Sequence, residues 1–146
     1  MSYMTTPFSL RMDEDTHRAL LAHAERADLS PSKLVNRYVK EGLRMDEHPA
    51  IAFISTPQGR RAVLAARPRL QIIDIIGTWK GERQDIGATA KYFGISDDDV
   101  QAVIQYYVAY KDELDEEIRR HLDAQQNYKR VLQQREAHAR RRVANG

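Results

Sequence analysis

The chain has no cysteine among its 146 residues. No disulfide staples it and no thiolate holds a metal, which fits a reducing cytosol. It lacks any run of 18 apolar residues, so no transmembrane helix is expected, and its first residues lack the apolar core of a signal peptide. The expected location is cytoplasmic, with no membrane partner. A glycine-rich phosphate loop, a His-x-x-x-His or Glu-x-x-His metal spacing and a nucleophile elbow are all missing. The five histidines, His17, His23, His48, His121 and His138, are scattered. The acids lack an apolar frame that would make paired carboxylates a catalytic site. No enzyme activity, metal or cofactor is expected.

Charge of one sign is also scarce overall, since the net formal charge is +2. Its distribution is uneven. Residues 96–117 hold eight acids (Asp97, Asp98, Asp99, Asp112, Glu113, Asp115, Glu116 and Glu117) and one base, Lys111. Residues 129–146 hold six bases (Lys129, Arg130, Arg135, Arg140, Arg141 and Arg142) and one acid, Glu136. Such segmentation points to separate partners or a self-docking tail.

The first 45 residues are the most patterned. Phe8, Leu10 and Met12 alternate with Pro7, Ser9 and Arg11, as on a strand with one apolar and one polar face. Pro7 suits the start of a strand, where a missing donor does least harm. Asp13 is an N-cap with Glu14 and Asp15 behind it, opening a helix on Leu20, Leu21, Ala24 and Ala27. Ser30-Pro31 opens a second helix with Leu34, Val35, Tyr38, Val39 and Leu43 on one stripe. One strand and two short helices carry too little apolar surface to fold alone.

This unit resembles the ribbon-helix-helix of the MetJ/Arc/CopG family of bacterial DNA-binding proteins. The resemblance implies a homodimer, with higher oligomers open, whose paired strands enter the major groove of double-stranded DNA. It places Ser9 and Arg11 toward base edges with Thr5 or Thr6 assisting, Arg11 gripping guanine. Pro7 departs from the pattern, having no polar side-chain atom to read a base. The start of the second helix, with Ser30, Ser32 and Lys33, would rest on a phosphate. Plain helix capping explains the same residues, and the two uses are compatible.

Asp46-Glu47-His48-Pro49 breaks the pattern and marks a boundary. Ile51–Thr56 and Arg60–Ala66 around Pro57-Gln58-Gly59 predict a β-hairpin, ended by Arg67-Pro68. Leu70, Ile72, Ile73, Ile75, Ile76 and Trp79 predict an apolar helix, though their β-branched run also suits a strand. Asp85–Phe93, Gly94-Ile95 and Ser96–Tyr110 predict a helix-turn-helix. Asp97, Asp98 and Asp99 would repel phosphates there, which favours a packing unit over a DNA reader. From Asp112 a long helix continues through Leu114, Ile118, Leu122 and Tyr128 to Leu132. Its end lacks a strong apolar stripe and is expected to project or be partly disordered.

From about His48 to Ile118 the order of elements, with Tyr106-Tyr107 and Asp112-Glu113-Leu114-Asp115, is similar to a domain of unknown function found in antitoxins of toxin–antitoxin operons. Tyrosines at this spacing also serve as ordinary packing. In VapB-type antitoxins a C-terminal arm wraps a PIN-domain ribonuclease and sets a basic side chain among its magnesium-binding carboxylates. Arg135, Arg140, Arg141 and Arg142 match that chemistry, and equally that of a tail held on DNA phosphates.

The expected fold is mainly α with short β. Residues 1–46 form the dimeric ribbon-helix-helix, 47–122 a hairpin plus helical bundle, and 123–146 a basic helix or tail. The expected function is an autorepressing antitoxin that neutralises a PIN-type ribonuclease toxin. The alternatives are a stand-alone transcriptional regulator and a nucleoid or partition protein that coats DNA.

Overall fold

The computed structural model describes residues 5–146. It holds six helices and one three-stranded antiparallel sheet. The helices are α1 (Glu14–Ala27), α2 (Pro31–Glu47), α3 (Ile72–Gly81), α4 (Ile86–Phe93), α5 (Asp97–Ala109) and α6 (Lys111–Ala144). The strands β1 (Ile51–Thr56), β2 (Gly59–Leu64) and β3 (Arg67–Gln71) lie mid-chain. The chain divides into two compact units between Asp46 and Glu47.

This corrects the expected fold. Residues 5–13 carry no regular secondary structure, so no N-terminal ribbon-helix-helix is formed. A strand needs a neighbour for its N–H and C=O groups. No described segment of the chain pairs with Thr6–Met12, and Pro7 removes one donor. Alternation fixes which face is apolar but supplies no partner. The C-terminal hairpin is likewise not a hairpin alone, because Arg67–Gln71 adds a third strand to it.

In the first unit, the Asp13 carboxylate accepts from Thr16 N–H at 3.0 Å and starts α1. Asp28 ends it in the left-handed region at φ 53°, while Leu29 N–H returns to Ala24 C=O. Among residues 5–46 only Ala24 and Leu34 are buried apolar side chains. Phe8 is 86 % exposed, Leu10 57 % and Leu43 60 %.

The second unit has the core. β1 and β2 pair in continuous register from Ile51 opposite Leu64 to Thr56 opposite Gly59. β3 joins β2 through a register shift at Val63 and Leu64. α3 buries Ile72, Ile73, Ile75 and Ile76 against Ile51, Leu64, Val103, Tyr106, Tyr107 and Leu114. The run Leu70–Trp79 therefore divides: Leu70 and Gln71 finish a strand, and helix begins at Ile72.

α4 and α5 are joined by a tight turn. Asp85 and Ser96 cap them, accepting from Ala88 N–H at 2.9 Å and Asp99 N–H at 3.0 Å. Gly94 adopts φ 67° and ψ 38°, and Ile95 N–H reaches back to Ala90 C=O. The Arg67 guanidinium donates to Phe93 C=O at 2.6 Å, placing a cation on the negative end of α4. A methyl group at Gly94 would sit 3.6 Å from Arg67 Nη1, an ordinary contact. Gly94→Ala should therefore cost only the left-handed backbone term, about 1–2 kcal/mol, read as a lower urea midpoint with an unchanged slope.

Candidate functional site

The structure places the expected DNA-contacting residues on the surface of the first unit. Thr5, Thr6, Ser9 and Arg11 are exposed on the irregular segment ahead of α1. Ser30, Ser32 and Lys33 are exposed at the start of α2. Ser30 Oγ accepts from Lys33 N–H at 3.2 Å, so this hydroxyl is engaged by the helix itself. Pro31 has no N–H and Leu34 N–H bonds to Ser30 C=O at 3.1 Å, so of the first turn the Ser32 amide alone is left for an anion. No described hydrogen bond or ion pair joins the Thr5–Arg11 group to the Ser30–Lys33 group.

The second candidate surface is α6. Arg135, Arg140, Arg141 and Arg142 are all exposed on it, and the helix runs unbroken to Ala144. Of the two states expected for this end, a projecting helix or partial disorder, it is helical. The arginines do not form one cluster. Arg135 and Arg142 share a face with Val131 and His138, whereas Arg141 shares another with Arg130 and Gln134. A continuous helix thus spreads these cations around its circumference.

The helix-turn-helix gives no support to a reader in the second unit. Asp97 and Asp98 are exposed in the first turn of α5, while Val100 and Val103 behind them are buried. Tyr106 and Tyr107 are also buried, and Tyr106 stacks edge-on to His48 at 5.3 Å between ring centroids. These tyrosines are packing groups. Among the described residues no group of three or more His, Cys, Asp or Glu side chains is arranged to hold a metal.

What fixes α6 to the unit is a polar clamp that sequence reasoning missed. Asp115 accepts from Tyr107 Oη at 2.5 Å and from Lys111 Nζ at 2.6 Å, with Lys80 Nζ at 3.5 Å. Lys80 also stands 4.9 Å from the Tyr107 ring centroid, a cation–π contact. Lys111 and Tyr107 together hold the Asp115 carboxyl down at about 2. Two residues on, Glu117 pairs with Arg61 of β2 at 2.9 Å, both side chains largely buried. Burial there outweighs Arg61 and pushes the Glu117 carboxyl up. The four-residue spacing of Lys111 and Asp115 is visible in the sequence. Nothing in the sequence points to Lys80, Tyr107 or Arg61 as their partners.

Compared with models of protein families, with curated proteins and with solved structures, the chain matches none.

The clamp gives a pH signature. A carboxyl whose folded pKa is depressed contributes stability above its unfolded value, 3.8, and loses it as pH falls toward about 2. Asp115→Asn should be less stable than the parent chain at pH 7. The difference in urea midpoint should shrink as pH falls from about 5 toward 3. A constant difference across that range would remove the charge of Asp115 as its cause.

Proposed function

We propose that the protein is a DNA-binding antitoxin that represses its own operon and neutralises a PIN-type ribonuclease. The observation that carries this reading is the separation of two exposed polar surfaces onto two compact units. The first unit offers an arginine, hydroxyl side chains and a helix N-terminus, the chemistry of base and phosphate contact. The second offers a projecting cationic helix. A guanidinium placed among carboxylates replaces the charge of the magnesium they would otherwise bind.

A second copy of the chain belongs to this reading. The first unit leaves Phe8, Leu10, Tyr38, Val39 and Leu43 exposed, and burying large apolar side chains contributes about 1.5–3 kcal/mol each. A unit with two buried apolar residues gains most of its core by association. Homodimerisation also doubles the polar contacts that one copy brings to DNA.

The competing reading is a basic tail that clings to DNA phosphates, in a regulator without a toxin. It is favoured by the eight bases between Arg119 and Arg142 against two acids, Asp123 and Glu136. One truncation separates the two. Deleting residues 129–146 should leave operator binding largely intact and release the partner ribonuclease. If the tail serves DNA, the same deletion should instead flatten the salt dependence of nonspecific binding by about one unit of slope per lost phosphate contact.

Arg11→Ala tests the first surface. Loss of a bidentate contact to guanine costs about 1–3 kcal/mol per site. Operator affinity measured by gel shift should fall by about tenfold or more while circular dichroism stays unchanged. Unaltered operator affinity would remove Arg11 from the interface.

A further inference from the structure

β1 is an edge strand, since the sheet runs β1-β2-β3. Its pairing with β2 fixes which way each peptide group points. Ala65 N–H donates to Ala50 C=O at 2.8 Å, and bonded and non-bonded pairs alternate along an antiparallel ladder. In the register that sets Ile51 opposite Leu64 and Thr56 opposite Gly59, the peptide groups of Ala52, Ile54 and Thr56 therefore bond to β2. Those of Ile51, Phe53 and Ser55 point outward. Ile51 N–H is taken by His48 C=O at 2.9 Å. The N–H and C=O of Phe53 and of Ser55 have no partner among the described residues.

The two edges of the sheet differ. β3 carries Arg67, Pro68 and Arg69 and meets β2 through a register shift. Charge, proline and irregular pairing are devices that keep an edge from taking another strand. β1 has none of them. Ile51–Thr56 holds no charged residue and no proline, and it pairs with β2 without a bulge. α3, which packs on the sheet, lies along β2 and β3.

We infer that β1 pairs antiparallel with β1 of a second copy of this chain, about a two-fold axis at Ile54, so that the two sheets become one. In that register Phe53 stands opposite Ser55 of the second copy, and Ser55 opposite its Phe53. These are bonded pairs, so each outward N–H and C=O of the two residues gains a partner. The next outward pair sets Ile51 opposite Pro57 of the second copy. Proline has no N–H to give, and Ile51 N–H is already bonded to His48, so the ladder stops there at both ends. An axis at Phe53 would instead set Ser55 C=O against the occupied Ile51 N–H. The side chains agree with the register at Ile54: that residue meets its own copy, Ala52 meets Thr56, and no charge lies on either strand. A second copy is the occupant because Ile51 and Pro57, the two positions that cannot extend the ladder, fall opposite each other at both ends only when β1 meets itself. The inference rests on the second unit alone and goes beyond the antitoxin reading.

The absence of cysteine allows a test in the full-length chain. Ile54→Cys, Thr56→Cys and Ala52→Cys are made as separate variants, oxidised and run on non-reducing gels. Residues directly opposite in a non-bonded antiparallel pair have Cα atoms about 4.5 Å apart, within reach of a disulfide. Ile54→Cys should therefore give a linked dimer by itself. Thr56→Cys should not, its two copies lying about 13 Å apart along the strands, but refolded together with Ala52→Cys it should. Ser55→Pro added to Ile54→Cys keeps the ladder with β2 and removes an outward donor, so the cross-link should be lost with circular dichroism unchanged. Should Ile54→Cys not fold, the mixture carries the same test. No linking by Ile54→Cys or by the mixture while the dichroism is retained overturns the pairing. So does Thr56→Cys linking to itself as readily, or undiminished linking in the Ser55→Pro background. A chain that binds operator and neutralises its toxin without the Ile54 cross-link would sink this inference alone. Intact cross-linking without either activity would sink only the antitoxin reading.

Discussion

Four isoleucines within five positions of α3 dictate how the second unit is arranged. Ile72, Ile73, Ile75 and Ile76 are all buried, and around the helix they cover close to half its circumference. A face that wide cannot be covered by one neighbour. It takes the sheet on one side and helices on the others, and α3 packs against β2, β3, α4, α5 and α6. The order of the chain follows from that need: strands first, then the isoleucine helix, then the helices that close over it. α6 enters this packing with few apolar groups. Leu114 and Ile118 supply contact, and the pairs at Asp115 and Glu117 fix its position.

The first unit obeys the opposite constraint. With Ala24 and Leu34 as its buried apolar residues, local signals hold its two helices: the Asp13 and Ser30 caps and the left-handed Asp28 turn. Caps contribute about 1 kcal/mol each, enough to set where a helix begins but not to hold a unit of this size together. Little apolar burial within its own residues adds to them. The same shortage leaves Phe8 and Leu10 without a surface to pack on and the alternating segment without a strand to pair with.

Local chemistry made much of this legible in advance. The N-caps at Asp13, Ser30, Asp85 and Ser96 and the glycine turn at Gly94 act within three or four residues of themselves. The bounds of α1, α2, α4 and α5 could be read from them. Periodicity was less decisive. Phe8–Met12 and Ile51–Thr56 both read as strands, yet only the second has β2 following across a tight turn. β3 was hidden because Arg67 and Pro68 read as a terminator, although proline is tolerated at the beginning of an edge strand. Among the candidate site residues, sequence order gave exposure at Ser9, Arg11 and the tail arginines. It gave none of the ties between α3, α5 and α6, since Lys80 lies 35 residues from Asp115 and no spacing rule reaches that far.

The long helix shows how burial and charge divide one element. From Lys111 to Ile118 it is held by tertiary contacts. From Arg119 onward it has only its own residues, rich in the good helix formers alanine, glutamine and arginine and without internal glycine or proline. Pairs one turn apart add to this, with Arg119 between Glu116 and Asp123, and Arg130 donating to Asn127 at 2.8 Å. Each such pair contributes a few tenths of a kcal/mol. Isolated helices are marginal below about 12–15 residues, and this segment is twice that length and anchored at one end. The anchored turns spare it the cost of nucleation, so helix propagates outward from Ile118. Its cations are thereby carried in fixed rotational register with the buried Leu114. A partner that reads the far end of α6 meets a preorganised surface and loses less entropy in binding it than it would with an unstructured tail.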